Sequence, residues 1–199
     1  MQYTPYTEKT FTFPAMAGLS EKQVGEHIKL YQGYVKNTNL LLATLEELKK
    51  DSEKNALALS EILRRFSFEW NGMRLHELYF ESLGGNGTLD PNTTLYKKIT
   101  TQYSSYDAWL AECKAIALMR GIGWVILSYD TANNLLLTRW VSDHEVGHLG
   151  SLPIVLALDV WEHAYLLDYP PSGRKDYLEA FFKNLNWSVI NTRLEKVSL

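Results

Sequence analysis

Pro153-Ile154-Val155-Leu156-Ala157-Leu158-Asp159-Val160-Trp161-Glu162-His163-Ala164-Tyr165 changes character at its midpoint. Pro153 to Leu158 is a short apolar run, the pattern of a buried strand. Directly behind it Asp159 and His163 stand four residues apart. Where a strand ends and a helix begins, a carboxylate and an imidazole at this spacing can turn toward one metal ion. Many exposed helices carry Asp and His four apart and bind nothing, so the rest of the chain must supply the other half of a site.

Working outward, Trp124 to Tyr129 and Leu135 to Val141 are apolar and aromatic runs joined by Asp130-Thr131-Ala132-Asn133-Asn134, and read as a hairpin. Downstream, Glu162 to Leu167, Tyr177 to Leu185 and Trp187 to Val197 read as helical, with Pro170 and Pro171 between the first two. Far upstream, Ser20 to Lys50 has apolar residues at helical spacing behind a serine suited to cap them. A second helical pattern runs from about Ala56 to Leu83 and meets Gly84-Gly85-Asn86-Gly87, which breaks any helix. One more helix is expected over Thr101 to Arg120, with Gly121 as its stop. These elements predict an α+β protein: an N-terminal long helical hairpin over residues 1–89, then an α/β domain over 90–199 with a three-stranded antiparallel sheet flanked by helices.

Composition excludes several classes. The chain has 199 residues, 46% hydrophobic and 13% aromatic, enough for a sizeable core. A net charge of -3 and the absence of any basic block argue against nucleic acid as a partner. No apolar run approaches the roughly 20 residues that span a bilayer, so no membrane association is expected. The first residues carry no signal-peptide core, and a cytoplasmic protein is expected. Cys113 is the one cysteine, set among Ala111, Ala115 and Ile116, and reads as a small core residue.

Asp159-Val160-Trp161-Glu162-His163-Ala164-Tyr165 resembles the C-terminal metal motif of the iron/manganese superoxide dismutases. The resemblance extends from about Leu19 to Leu194. Asn71-Gly72-Met73-Arg74-Leu75-His76, followed by Tyr79-Phe80, is similar to the family's second helix, whose ligand histidine falls at His76. Gln32-Gly33-Tyr34-Val35-Lys36-Asn37 is similar to the first-helix signature, in which a ligand histidine precedes Tyr-Val and an Asn. Here the interval from His27 to Tyr34 is one residue short, so an ungapped register puts Glu26 at the ligand position. Seven residues make nearly two helical turns, which places His27 on one face with Tyr34 and favours the histidine. The resemblance then implies a metal set of His27, His76, Asp159 and His163 around one manganese or iron ion per subunit, joining the two halves of the chain.

The same likeness implies further roles. Ser142-Asp143-His144-Glu145 resembles the segment where many members carry an outer-sphere glutamine, and the matching residue is His144, as in a subset with histidine there. Tyr34 resembles the gate tyrosine, Arg174 an arginine of the substrate funnel, and Trp124, Trp161 and Phe80 its aromatic walls. Glu162 resembles a glutamate that crosses a dimer interface, which implies a homodimer, with a tetramer left open. Leu166 replaces the usual second tyrosine of that interface, and no histidine stands near Leu30 and Tyr31 to pair with it. The implied activity is superoxide dismutation with superoxide as substrate. A degenerate relative that keeps the metal in a structural role is the alternative.

Overall fold

The computed structural model describes residues 3–198. Two long helices form a hairpin, α1 over Glu21–Leu48 and α2 over Ala56–Glu81. The Ser20 side chain accepts from Gln23 N and caps α1, relieving a main-chain donor that the helix leaves unpaired. Val24, His27, Tyr31, Val35, Thr38, Leu42 and Leu45 are buried along α1 at steps of three or four, a continuous seam against α2. On α2 the buried residues begin only at Glu69 and run to Phe80, so the end of the hairpin near His76 is the packed one.

Two short helices follow, α3 over Thr94–Tyr103 and α4 over Tyr106–Ala117. The single helix expected over Thr101 to Arg120 is therefore two. Ser104 adopts a left-handed φ of 69° and Ser105 caps α4 by accepting from Ala108 N. Serine hydroxyls compete for backbone donors and favour such a restart over a continuous helix. Cys113 is buried on α4.

The sheet has three strands, β1 over Gly123–Asp130, β2 over Leu135–Ser142 and β3 over Ile154–Asp159, in the order β2-β1-β3 with both pairings antiparallel. The register sets Trp124 beside both Val141 and Asp159. At the head of β1, Gly123 has φ +149°, and a Cβ there would lie 2.1 Å from Val141 O, so only glycine lets the two strands close at this end. Asp159 is thus delivered at the last position of a strand buried from Val155 onward.

After β3 the chain makes a 3-10 turn, Glu162–Ala164, where a helix to Leu167 was expected. Trp161 N donates to Asp159 Oδ1 at 2.8 Å, and Leu166 N returns to Glu162 O. Tyr165 leaves helical geometry at φ -147°, and Pro170 and Pro171 have no N–H with which to prolong a helix. The molecule closes with α5 over Arg174–Lys183 and α6 over Trp187–Val197. No helix among the described residues is long and apolar enough to cross a membrane.

Residues 3–18 lie outside the helices and strands and form a strap that binds several elements together. Tyr6 exchanges two hydrogen bonds with Asn39 of α1, and Lys9 Nζ reaches Glu77 and Glu81 of α2. Glu81 also holds Arg193 of α6, and Ala17 exchanges two bonds with Asn184 just past α5.

Candidate metal centre

α1, α2, β3 and the 3-10 turn each bring one chemical group to a common point. His27, His76, Asp159 and His163 offer donor atoms that all lie within 4.8 Å of one another. Asp159 Oδ2 is the hub, 3.1 Å from His27 Nε2, 3.1 Å from His163 Nε2 and 3.5 Å from His76 Nε2. Donors about 2.1 Å from one ion and 90–120° apart stand about 3.0–3.6 Å from each other, so these spacings match a coordination shell.

Protonation decides what the cluster needs. His76 Nδ1 lies 2.6 Å from Gly72 O one helical turn back, and a carbonyl can only accept, so Nδ1 carries the proton. His76 Nε2 then presents a lone pair, is fully buried and has no hydrogen-bond partner. It faces a carboxylate oxygen that is also without a proton: burial alone would raise the Asp159 carboxyl, but the imidazoles of His163 and His27 hold it far below the usual range. Burial, reinforced by His27, pushes His76 well below its ordinary value, and burial outweighs the pull of Asp159 on His27. His27 and His163 Nε2 each share a hydrogen bond with Asp159 Oδ2, but the buried lone pair of His76 Nε2 faces that same carboxylate oxygen with no proton between, which is costly without a cation there. The donor set, three imidazoles and one carboxylate, suits a first-row divalent or trivalent metal.

Glu26, the competing residue on α1, is exposed and pairs with Lys29. His27 is the residue that α1 turns inward.

The surround is aromatic. Trp161 stacks on His163 and on His144, with ring centroids 5.4 and 5.0 Å apart. Trp124 meets His76 edge-on at 5.0 Å, and Phe80 meets His27 at 4.9 Å. His144 is buried between them. Trp124 Nε1 donates to His144 Nδ1 at 2.9 Å, which puts the proton of the neutral ring on Nε2, and Nε2 then donates to Tyr34 OH at 2.8 Å. Tyr34 also stacks on His76 at 5.1 Å. Burial lowers His144 to about 4, despite Asp159, so the ring is neutral near pH 7. Burial, followed by the negative charge of Asp159, raises the Tyr34 phenol, which stays protonated.

Arg174 stands apart from this group. Its guanidinium donates to Met119 O and Gly121 O at 2.9 Å and meets Tyr165 OH at 3.4 Å. Tyr165 stacks on Tyr177, whose hydroxyl donates to Asp159 O at 2.8 Å, so Arg174 reaches the centre through two rings. Glu162 is exposed on the 3-10 turn, and Leu30 and Leu166 are 43% and 41% exposed.

Sequence reasoning missed several neighbours. Phe68 lies 4.6 Å from His144 and is overlain by Arg65. Asn71 and His148 both donate to His144 O, and Gln23 holds the turn that carries His163. Phe68 lies two turns before His76 on the same helix, a spacing that could have found it. The others act on main-chain atoms and leave no pattern in the sequence.

Residues 91–193 match the model of the iron/manganese superoxide dismutases, C-terminal domain. The chain is 39% identical over 181 residues to an iron superoxide dismutase of Cupriavidus metallidurans, covering 89% of each protein. It is 34% identical over 186 residues to an iron superoxide dismutase of Aquifex aeolicus, with 91% of this chain and 86% of that one covered. A manganese superoxide dismutase of Haloferax volcanii is 37% identical over 171 residues, 85% of this chain and 83% of its own.

Proposed function

The chain belongs to the iron/manganese superoxide dismutase family, and from that membership we propose that His27, His76, Asp159 and His163 hold the one manganese or iron ion with which it disproportionates superoxide. It is an oxidoreductase, a superoxide dismutase. The observation that carries the site is the buried, partnerless Nε2 of His76 facing Asp159 Oδ2.

The bound ion's one-electron redox chemistry converts two superoxide anions and two protons into dioxygen and hydrogen peroxide. The chain's own residues do the rest. Trp124 fixes the tautomer of His144, and His144 Nε2–H occupies one lone pair of the Tyr34 oxygen. The Tyr34 proton therefore points away from His144 and is free to be donated to a reduced oxygen species. Trp124, Trp161 and Phe80 line the centre with rings that admit a small anion and little water. Arg174 adds positive charge near the Met119–Gly121 loop, which favours approach of an anion to a protein of net charge -3.

The division at 89/90 into a hairpin domain and an α/β domain places two ligands on each side. Exposed Glu162, Leu30 and Leu166 supply a face for a homodimer in which Glu162 meets the partner subunit's His163. The buried lone Cys113 fits a reducing cytoplasm.

The test is superoxide dismutation by purified protein loaded separately with manganese and iron, with metal content measured on the same samples. Activity with near one ion per chain is expected. Stoichiometric metal without activity supports the degenerate relative, and absence of bound metal sinks the four-residue site.

A further inference from the structure

Gln23 lies one helical turn before His27 on α1 and is 1% exposed. Both ends of its amide are used across the molecule. Nε2 donates to His163 O at 2.7 Å, and Oε1 accepts from Leu167 N at 2.9 Å. The 3-10 turn leaves these two groups needing such partners: among the described residues, neither His163 O nor Leu167 N makes a main-chain hydrogen bond within it. A glutamine amide, with a donor and an acceptor side by side, satisfies the pair as a neighbouring strand would.

Geometry separates this contact from a general fastening of the two halves. His27, His76 and Asp159 are each carried by a regular element whose ladder fixes their direction. His163 is carried by a three-residue turn of weaker internal bonding. Its main chain is gripped at His163 itself and again at Leu167, and the grip comes from the same face of α1 that presents His27.

We propose that Gln23 is a positioning residue for the metal centre, fixing the turn that carries His163 in register with His27. The inference rests on the reading that these histidines hold the ion. Without the amide, the turn relaxes and His163 becomes the loose ligand, while the other three stay in place.

Gln23→Met keeps the length and apolar bulk of the side chain and removes both bonds. Gln23→Glu keeps the acceptor for Leu167 N and removes the donor to His163 O, so it serves where the methionine variant fails to fold. Four readouts are compared with the wild type: metal content, rate of ion loss to a chelator, the rhombicity of the ferric electron paramagnetic resonance signal, and thermal midpoints with and without metal. The variants are expected to hold the ion about 10- to 100-fold more weakly, the range found when partners that orient ligands are removed, and to lose it correspondingly faster to the chelator. Rhombicity changes, and the metal-induced rise in midpoint shrinks. Equal destabilisation of loaded and metal-free protein, with unchanged spectrum and loss rate, makes Gln23 a structural fastener and overturns the proposal. A wild-type protein that takes up no metal overturns instead the site beneath it.

Discussion

Gly72 shows how much can turn on one hydrogen atom. Its carbonyl takes the His76 Nδ1 proton, and a Cβ on it would lie 2.6 Å from Tyr34 Cδ1. Alanine at an ordinary helical position is favoured over glycine by about 1 kcal/mol, whereas crowding a packed ring costs about 1–3 kcal/mol. Crowding wins, so Gly72→Ala should lower the thermal midpoint slightly. It should lower dismutation more, because the tyrosine oxygen moves off His144 Nε2. Metal content should hold, since no ligand is touched; a variant of full activity would mean the Tyr34 ring has room to retreat. On α1, His27→Ala is expected to reduce metal content severely, and Glu26→Ala to leave it unchanged, as the exposed Glu26 meets only Lys29. Metal analysis of the two variants distinguishes the registers, and equal loss from both would defeat the geometric choice.

At the scale of elements, the strap carries a test in pH. Burial would raise the Glu81 carboxyl, but Lys9 and then Arg193 outweigh it and hold it below the ordinary value. A carboxyl depressed in the folded state contributes stability above its unfolded pKa of about 4.3 and loses it as pH falls through the folded value. Glu81 is partly exposed and screened by water, so the gain is about 1 kcal/mol at most. Urea midpoints measured from pH 6 down to pH 3 should therefore fall more steeply for the wild type than for Glu81→Gln. Parallel curves would remove Glu81 from the clasp.

The same scale explains what could be read in advance. α1, α2 and the three strands follow from periodicity and from Gly84 to Gly87, because their burial repeats along the chain. The break at Ser104 and the brevity of the turn at Glu162 come from single φ values and side-chain caps that no repeat announces. Among site residues, histidines and an aspartate carry their chemistry in their names. Gln23 does not: its partners are main-chain atoms 140 and 144 residues away.

For the whole molecule, the centre is a joint. His27 and His76 belong to the hairpin, Asp159 and His163 to the sheet side, and the partnerless Nε2 of His76 facing Asp159 Oδ2 is the place where a cation would tie the two together. Binding energy is then folding energy. An ion present at a thousand times its dissociation constant adds about 4 kcal/mol. Stripping the metal should lower the thermal midpoint and cost stability across both halves together. A midpoint indifferent to chelation would mean that the halves seat without the ion.

The depth of that joint also sets a clock. Three of the four donors are sealed at 2% exposure or less, and 132 residues of chain separate His27 from Asp159. While Gln23 holds the turn of His163, the one donor that is partly exposed, the ion is expected to leave chiefly when the halves part. Isotope exchange of bound metal is expected to be slow in the cold and to quicken three- to sixfold per 10 °C, as unfolding does. Each molecule would then keep the ion it met while folding, and a population would carry the history of its metal supply rather than its present state.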